Sequence, residues 1–142
     1  MVVSELCIKE GAKENMVEEY HYPVMHREVL EHLDVKNKGI VVDCTVGVGS
    51  QAFKFLEQME SGTLIGIDKD NSSLEIAGRK LAVFKGRFTL VKDDFINLDK
   101  ILKSLGILKV DAFLFDLGIS TYQLNNPKRG FSFSKEGPLD MR

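Results

Sequence analysis

Acidic residues stand at the ends of four short apolar runs, and their side chains are the best suited in this sequence to bind a ligand. They are Asp43, Asp68, Asp93 or Asp94, and Asp116. A single Asp at such a place is ordinary, because Asp is a common turn former and helix cap. Four at one edge of a parallel sheet would form a site for a cationic or hydroxyl-rich ligand, because ligands bind beyond the carboxyl ends of the strands.

A glycine-rich loop follows the first of these acidic positions. Residues 47–52 read GVGSQA and fit the dinucleotide pattern G-x-G-x-x-A. Asp68 lies 19 residues after Gly49, where a carboxylate can accept hydrogen bonds from ribose hydroxyls. The loop alone does not separate NAD from S-adenosylmethionine, since both carry an adenosine. It is also compatible with a tight strand-to-helix turn that needs glycine only for its backbone.

The position of Asp43 favours S-adenosylmethionine. A carboxylate directly before the loop does not help a pyrophosphate, which needs bare backbone N–H groups. It suits the ammonium of a methionine moiety, directly or through water, although Asp43 could also simply cap the loop. Phe95, after the third apolar run, can stack on an adenine, but its position alone favours a place in the core.

These residues need a scaffold that brings the ends of the four runs together. The pattern predicts strands at 40–44, 63–67, 86–91 and 110–115, separated by helical stripes of apolar residues at Val24–Leu33, Ala52–Met59, Leu74–Phe84 and Leu98–Leu105. Such alternation implies parallel pairing through right-handed crossovers. Strands this apolar are typical of a sheet covered on both faces. We therefore predict a doubly wound α/β fold with strand order 3-2-1-4. In this fold we expect Asp70 or Asn71 to cap the third helix and Gly106 to follow the end of the fourth.

Composition limits the class of protein. The 142 residues suit one domain, and 44% hydrophobic with 28% charged residues allow a buried core. The net charge of −2 gives no general attraction to nucleic acid, so an RNA-binding face must be local or lie outside this chain. No apolar run is long enough to cross a membrane. Residues 1–20 hold five Glu and no Arg, which argues against a targeting sequence and predicts a flexible tail in a cytoplasmic protein.

The two cysteines, Cys7 and Cys44, have no metal-ligand partner nearby in the sequence. Cys44 lies in an apolar run and is predicted to be a buried free thiol.

The residues after the fourth run form the most specific motif. They read DLGISTYQL at 116–124, RGFSF at 129–133 and GPLDMR at 137–142. HYPV at 21–24, EVL at 28–30, DCT at 43–45 and GIDKD at 66–70 accompany them. Together these motifs resemble the MraW/RsmH methyltransferases, which modify the exocyclic N4 of a cytosine in the decoding region of small-subunit ribosomal RNA. The resemblance runs from His21 to Arg142. It implies the Rossmann-like fold of S-adenosylmethionine-dependent methyltransferases, here incomplete, with about four parallel strands.

The resemblance also implies a set of cofactor contacts, at Gly49, Ser50, Gln51, Asp68, Phe95, Asp116 and Gln123. Two further cofactor contacts are predicted from the residues themselves: Gly47 in the glycine loop and Asp43 directly before the loop. The family usually has Gly-Gly-His where this chain has Gly49-Ser50-Gln51. We therefore expect the backbone of this loop to contact the cofactor more reliably than its side chains. His21 matches a family histidine, and a functional role and an exposed position before a helix are both compatible with it.

The implied reaction is methyl transfer from S-adenosylmethionine to a cytosine N4 amine, with ribosomal RNA and the small ribosomal subunit as partners and no metal required. This amine is a poor nucleophile, because its lone pair is delocalised into the ring. A hydrogen-bond acceptor on its N–H would return density to the nitrogen, and Asp116 is the best-placed candidate. A purely cofactor-binding role for Asp116 is the alternative, which the resemblance favours.

Residues 21–117 are predicted to be the cofactor-binding half-domain and 118–142 the start of a substrate-facing insertion. Because members of the family are considerably longer, we expect this chain alone not to methylate RNA. We also expect residues 118–142 to be loosely held, with Phe131 and Phe133 exposed or packed on the sheet edge. An uncovered fourth strand could mediate self-association. Two other interpretations stay open: a fragment of an NAD-binding oxidoreductase and a non-catalytic binding module.

Overall fold

The computed structural model describes residues 25–37, 39–134 and 136–140. The predictions for the tail at 1–20, Cys7, His21 and the residues Pro23 and Val24 lie outside the described residues. No helix in the described part of the chain is both long and apolar enough to cross a membrane.

Four strands form one parallel sheet in the order β3-β2-β1-β4. They are β1 (Ile40–Asp43), β2 (Thr63–Asp68), β3 (Phe88–Lys92) and β4 (Ala112–Leu114). The predicted order and pairing are confirmed. The connections reverse direction between β1 and β4, which makes this the switch point where a doubly wound sheet opens a crevice.

The fourth strand is shorter than the predicted 110–115. It covers three residues, Ala112–Leu114, and among the described strands it pairs with β1. Asp111 directly precedes the strand. Its N–H donates to the carbonyl of Ile40 at 2.8 Å, and its Oδ2 atom accepts hydrogen bonds from the backbone N–H groups of Gly39 and Ile40, each at 2.8 Å. Asp111 therefore links the start of β1 to the start of β4.

Within the described ranges, five α-helices accompany the sheet: α1 (His26–Leu33), α2 (Ser50–Gln58), α3 (Asn71–Leu81), α4 (Leu98–Ser104) and α5 (Thr121–Asn125). Of the two predicted caps for α3, Asp70 serves, since its carboxylate accepts the N–H of Ser72 at 3.0 Å. Gly106 follows α4 at φ +70°, and its N–H donates to the carbonyl of Lys103, as expected of a C-terminal glycine.

The core lies on both faces of the sheet, as the apolar strands predicted. Val41 and Leu64 pack on one face with Phe55 of α2 and Leu81 of α3, while the neighbouring strand residues face the other side with Ile101 of α4. Successive strand side chains point to opposite faces, so each strand contributes to both layers.

Cys44 is a buried free thiol, as predicted. Burial and, to a lesser extent, the nearby Asp43 carboxylate together raise its pKa to about 11.

Candidate functional site

A cavity of about 510 Å³ lies at the carboxyl ends of the strands. It brings together an acidic residue from each strand end, namely Asp43, Asp68, Asp93 and Asp116. The other predicted site residues that line it are Gly47, Ser50, Gln51, Phe95 and Gln123. Of the predicted cofactor contacts, only Gly49 lies outside the lining.

Gly49 serves the backbone and the packing of two helices. It has φ +79°, a conformation that favours glycine, and it precedes the first residue of α2. A Cβ atom at Gly49 would lie 3.1 Å from the Cβ of Ala77 on α3. These observations support the interpretation that glycine is needed here for its backbone. They do not support the predicted contact of Gly49 with the cofactor, because Gly49 does not line the cavity.

Asp68 holds the glycine loop and the following turn. Its Oδ2 atom accepts the N–H of Gly47 at 2.8 Å, and its Oδ1 atom accepts the N–H of Asp70 at 2.9 Å. A carboxylate has about four acceptor positions, so each oxygen retains capacity for a ligand hydroxyl. The side chain thus positions the loop and is still able to bind a ribose.

Asp43 is buried, and its Oδ1 atom accepts the N–H of Thr45 at 3.1 Å. This contact is the loop cap considered above. The pKa of Asp43 is raised to about 7. Desolvation is the main cause, the charges of Asp68 and Asp116 raise the pKa a little more, and the hydrogen bond from Thr45 acts in the opposite direction. Near neutral pH this carboxyl therefore stands close to half ionisation, in a cavity that contains other acids.

The end of β3 has two candidate acids, and the structure separates them. Asp93 lines the cavity, and its Oδ1 atom accepts the side-chain amide of Asn97 at 2.9 Å. Asp94 caps the following turn through the N–H of Ile96 and pairs with Lys69 at 3.3 Å. Asp93 is therefore the member of the acidic edge, and Asp94 has a local structural role.

Phe95 is not a core residue, so the interpretation from position alone was wrong. The 3₁₀ turn Phe95–Asn97 presents the ring at the cavity, where it is 37% exposed. The ring meets Phe115 edge to face, with centroids 5.6 Å apart and planes at 88°. Such a pair offers a fixed aromatic surface to a planar ligand.

Asp116 is exposed at the end of β4, and its backbone is tied to the start of the glycine loop. Its N–H donates to the hydroxyl of Thr45 at 2.8 Å. Cys44 N–H donates to the carbonyl of Leu114 at 2.9 Å, which continues the β1–β4 pairing up to this point. Asp116 is thus held beside the cavity by its main chain, while its carboxylate faces solvent.

The two positions that depart from the family pattern behave differently. The Ser50 hydroxyl accepts a hydrogen bond from the ammonium of Lys80 at 2.9 Å, so it joins α2 to α3. The Gln51 side-chain amide is buried, and neither its oxygen nor its nitrogen has a partner among the described residues. The hydroxyl of Ser73, also in the cavity lining, is in the same situation. Buried polar atoms are usually hydrogen-bonded, so these groups are suited to bind polar atoms of a ligand in the cavity.

Gln123 lines the cavity and organises α5. Its Oε1 atom accepts the N–H of Ser120, and the Ser120 hydroxyl accepts the N–H of Gln123, which together form a capping box. The Gln123 Nε2 atom donates to Asp70 Oδ2 at 3.2 Å. Arg129 donates to the same oxygen and is buried.

That the segment after residue 118 is loosely held stays a prediction, but the structure shows where several of its side chains lie. Phe133 is fully exposed, as expected, and Phe131 is partly buried in the cavity lining. Arg129, by contrast, fixes the segment to the rest of the fold through a buried ion pair with Asp70.

Sequence reasoning missed the roles of Thr45, Asp70 and Ser73 in this site. Thr45 was recognised only as part of a motif and Asp70 only as a helix cap. The contact partners of Thr45 and Asp70 lie 71 and 59 residues away, and no local spacing indicates them. For Ser73 the available signal was a hydroxyl on the apolar face of α3, beside Leu74 and Ala77.

Comparison with known proteins identifies the group to which this site belongs. A ribosomal RNA small subunit methyltransferase H from Thermotoga neapolitana is 50% identical over 123 residues, which cover 87% of this chain and 41% of that protein. The protein of the same name from Persephonella marina is 51% identical over 122 residues, with 86% and 41% covered. The chain thus spans about two fifths of the length of these relatives.

A crystal structure from Clostridium thermocellum, described as that of a candidate rRNA methylase, has the same fold. It superposes with a TM-score of 0.56 at 26% identity, over 66% of this chain and 50% of that one. The sequence match to the MraW methylase family extends over residues 18–142 and includes every residue of the cavity. The chain belongs to the MraW methylase family.

Proposed function

We propose that this chain forms the S-adenosylmethionine-binding part of an enzyme that methylates the N4 amine of a cytosine in small-subunit ribosomal RNA. The observation that carries the proposal is the convergence of Asp43, Asp68 and Asp116 with the glycine loop in one cavity at the carboxyl edge of a parallel sheet. Ligands bind at this edge in doubly wound folds. The name of the relatives supports ribosomal RNA as the substrate.

The residues of the cavity fit S-adenosylmethionine. The volume of about 510 Å³ lies in the range of cofactor pockets. Asp68 retains acceptor capacity for ribose hydroxyls, and Phe95 offers an exposed ring to the adenine. The unpartnered amide of Gln51 and hydroxyl of Ser73 can satisfy polar groups of a ligand that reaches the start of α2 and α3.

S-adenosylmethionine, when bound, supplies an electrophilic methyl group on a sulfonium. The residues of this chain would then act by binding and orientation, which are the main contributions an enzyme can make to such a transfer. Asp68 would accept the ribose hydroxyls and Asp43 the ammonium of the methionine end. The Phe95–Phe115 pair would keep water from one side of the site.

Asp116 is the candidate for the substrate amine. Its carboxylate is exposed beside the cavity while its main chain is fixed by Thr45. In this position the carboxylate can accept an N–H of the exocyclic amine and increase the electron density on the nitrogen. The base must be unstacked to reach it, which is easiest in a loop of the RNA.

Titration followed by NMR tests the cofactor. S-adenosylmethionine should shift the amide resonances of Gly47, Asp68 and Phe95, and NAD at the same concentration should not. Shifts with NAD alone would favour the oxidoreductase interpretation. Absence of any shift with S-adenosylmethionine would contradict the proposal.

Methylation of purified small ribosomal subunits tests the reaction. We expect transfer to a cytosine N4 by a full-length relative and none by this chain alone, because the chain covers 41% of that length. Comparable turnover by this chain would show that its residues suffice. Methylation by the relative at an atom other than cytosine N4 would contradict the proposed substrate.

Self-association through β4 is a further part of the proposal. No described strand pairs with the outer edge of β4, and Phe113 of this strand is exposed. An open edge with apolar side chains favours pairing with a second strand.

A cytoplasmic location stays a prediction from residues 1–20.

A further inference from the structure

Asp70 joins two parts of the molecule that lie far apart in the sequence. Its Oδ1 atom accepts the N–H of Ser72 and caps α3. Its Oδ2 atom accepts hydrogen bonds from Gln123 and Arg129. The carboxylate is buried, and these hydrogen bonds together with the Arg129 charge hold the pKa of Asp70 below its usual range against the effect of burial.

On one side, Asp70 is connected to the cofactor acid. The Asp70 N–H donates to Asp68 Oδ1 at 2.9 Å, and Asp68 Oδ2 accepts the N–H of Gly47 at 2.8 Å. A continuous series of hydrogen bonds therefore runs from the glycine loop through Asp68 to Asp70.

On the other side, Arg129 connects Asp70 to the end of the described chain. The Nε atom of Arg129 donates to the carbonyl of Asp140 at 2.9 Å, and the Asp140 N–H donates to the Arg129 carbonyl at 2.9 Å. Gln123 likewise connects Asp70 to the capping box at Ser120. Gln123 and Arg129 thus attach the segment 120–140 to Asp70 at the start of α3, and Ser120, Gln123 and Phe131 of this segment line the cavity.

We propose that Asp70 is a positioning residue that holds the segment 120–140 against the cavity through Gln123 and Arg129, so that ligand binding at Asp68 and order in this segment are coupled. The attachment of the segment is independent of the proposed function. The coupling to S-adenosylmethionine rests on it. The chemical reason is that a buried carboxylate shared by a guanidinium and an amide cannot lose either partner without leaving a poorly solvated charge.

Asp70→Asn is the variant that tests the attachment. Asn is as good a helix cap as Asp, so α3 should keep the bond from Ser72. The new NH₂ group cannot accept the hydrogen bonds of Gln123 and Arg129. Hydrogen exchange of the backbone amides of Gln123, Arg129 and Asp140 should become at least about tenfold faster, while those of Leu74 in α3 and Ile65 in β2 stay unchanged.

Asp94→Asn is the matched control. Asp94 also follows a strand, caps a turn and pairs with a cation, but it does not contact the segment 120–140. Its substitution should leave the exchange of the three amides unchanged. Equal exchange in the Asp70 and Asp94 variants would overturn the proposal.

Arg129→Met provides the second variant, from the other partner, if Asp70→Asn does not fold. It should speed exchange at the amides of Arg129 and Asp140, and where both variants fold their effects should be less than additive, because each removes the Asp70–Arg129 ion pair. Additive effects of the two substitutions would contradict the shared contact.

The coupling is tested with S-adenosylhomocysteine as the probe. In the unmodified chain, saturating probe should slow exchange at Gln123, Arg129 and Asp140, and Asp70→Asn should abolish this protection while Asp94→Asn keeps it. Probe that binds and protects Gly47 but leaves the three amides unchanged would overturn the coupling. Absence of probe binding would overturn the coupling and the proposed function together, whereas the exchange of the unliganded variants would still decide the attachment.

Discussion

The hydroxyl of Thr45 accepts the backbone N–H of Asp116 at 2.8 Å and so joins the ends of β1 and β4 at the point where the sheet opens. This one hydrogen bond connects the loop that would hold the methionine end to the residue that would meet the substrate amine. Asp43 accepts the N–H of Thr45 itself, so two acids of the site, Asp43 and Asp116, depend on the placement of Thr45.

Thr45→Val should lower the free energy of unfolding by about 1 kcal/mol, because it removes one acceptor while keeping the shape of the side chain. Thr45→Ser keeps the hydroxyl and should lose less. Urea denaturation measures both, and the Asp116 amide resonance reports whether the residue has moved. Equal stability of the valine variant and the unmodified chain would show that solvent replaces this bond.

Asp68→Ala should weaken S-adenosylmethionine binding by roughly ten- to a hundredfold, because a bidentate hydrogen-bonded carboxylate left unmatched costs a few kcal/mol. The same substitution frees the N–H groups of Gly47 and Asp70, so it should also lower stability. Asp99→Ala, at an exposed residue in the first turn of α4, is the control for loss of one negative charge. Unchanged affinity of the Asp68 variant for S-adenosylmethionine, measured by calorimetry, would contradict the proposed contact between Asp68 and the ribose.

Binding of the cationic cofactor should strengthen as pH rises from about 5 to about 8. Burial raises the pKa of Asp43 to about 7, and a neighbouring cation favours the ionised form, so binding releases a proton in this range. The gain can reach about tenfold for each pH unit below the raised pKa. Calorimetry in two buffers of different ionisation enthalpy detects the released proton.

Asp43→Asn separates this effect from other titrations. Asn retains an oxygen for the N–H of Thr45 and has no charge, so the proton release should disappear. In the unliganded chain, the raised pKa of Asp43 contributes stability that is complete below its ordinary value of 3.8 and is lost as pH rises through about 7. The Asn variant should therefore gain stability relative to the unmodified chain on going from pH 5 to pH 8, and a constant difference would contradict the assigned pKa.

Phe95→Ala should weaken the binding of adenosine-containing ligands about five- to tenfold, because the ring and its edge-to-face contact with Phe115 are lost. Ile96→Ala is the control, since Ile96 is more exposed than Phe95 and does not line the cavity. Both variants should bind free methionine as the unmodified chain does. A similar loss in both would indicate a general effect on the turn instead of stacking.

Sedimentation should show concentration-dependent association of this chain, which Phe113→Lys on β4 should reverse. A charge on an edge strand is a common means of preventing strand pairing. Leu108→Lys replaces an even more exposed apolar residue away from any strand and should have little effect. A monomer at every concentration would contradict the proposed edge pairing.

Features governed by local sequence could be predicted, and those governed by distant contacts could not. Periodicity indicates the alternation of strands and helices from which the strand order was inferred. Turn chemistry within a few residues indicates the Asp70 cap and the acids at the strand ends. β4 was predicted too long because the residues that flank it bond to distant residues: the Asp111 carboxylate accepts the N–H groups of Gly39 and Ile40, and the Asp116 N–H donates to the Thr45 hydroxyl, each more than 70 residues earlier. The place of Phe95 was misjudged because a 3₁₀ turn, not an apolar stripe, sets the direction of its ring.

Redesign of the cavity for a bulkier ligand is constrained where Gly49 meets Ala77. Because a Cβ atom at Gly49 would lie 3.1 Å from the Cβ of Ala77, a side chain at position 49 requires α2 and α3 to move apart. Such a movement would stretch the Lys80–Ser50 hydrogen bond between the same helices, and Ser50 lines the cavity. We therefore expect a larger side chain at position 49 to change ligand binding through the spacing of α2 and α3.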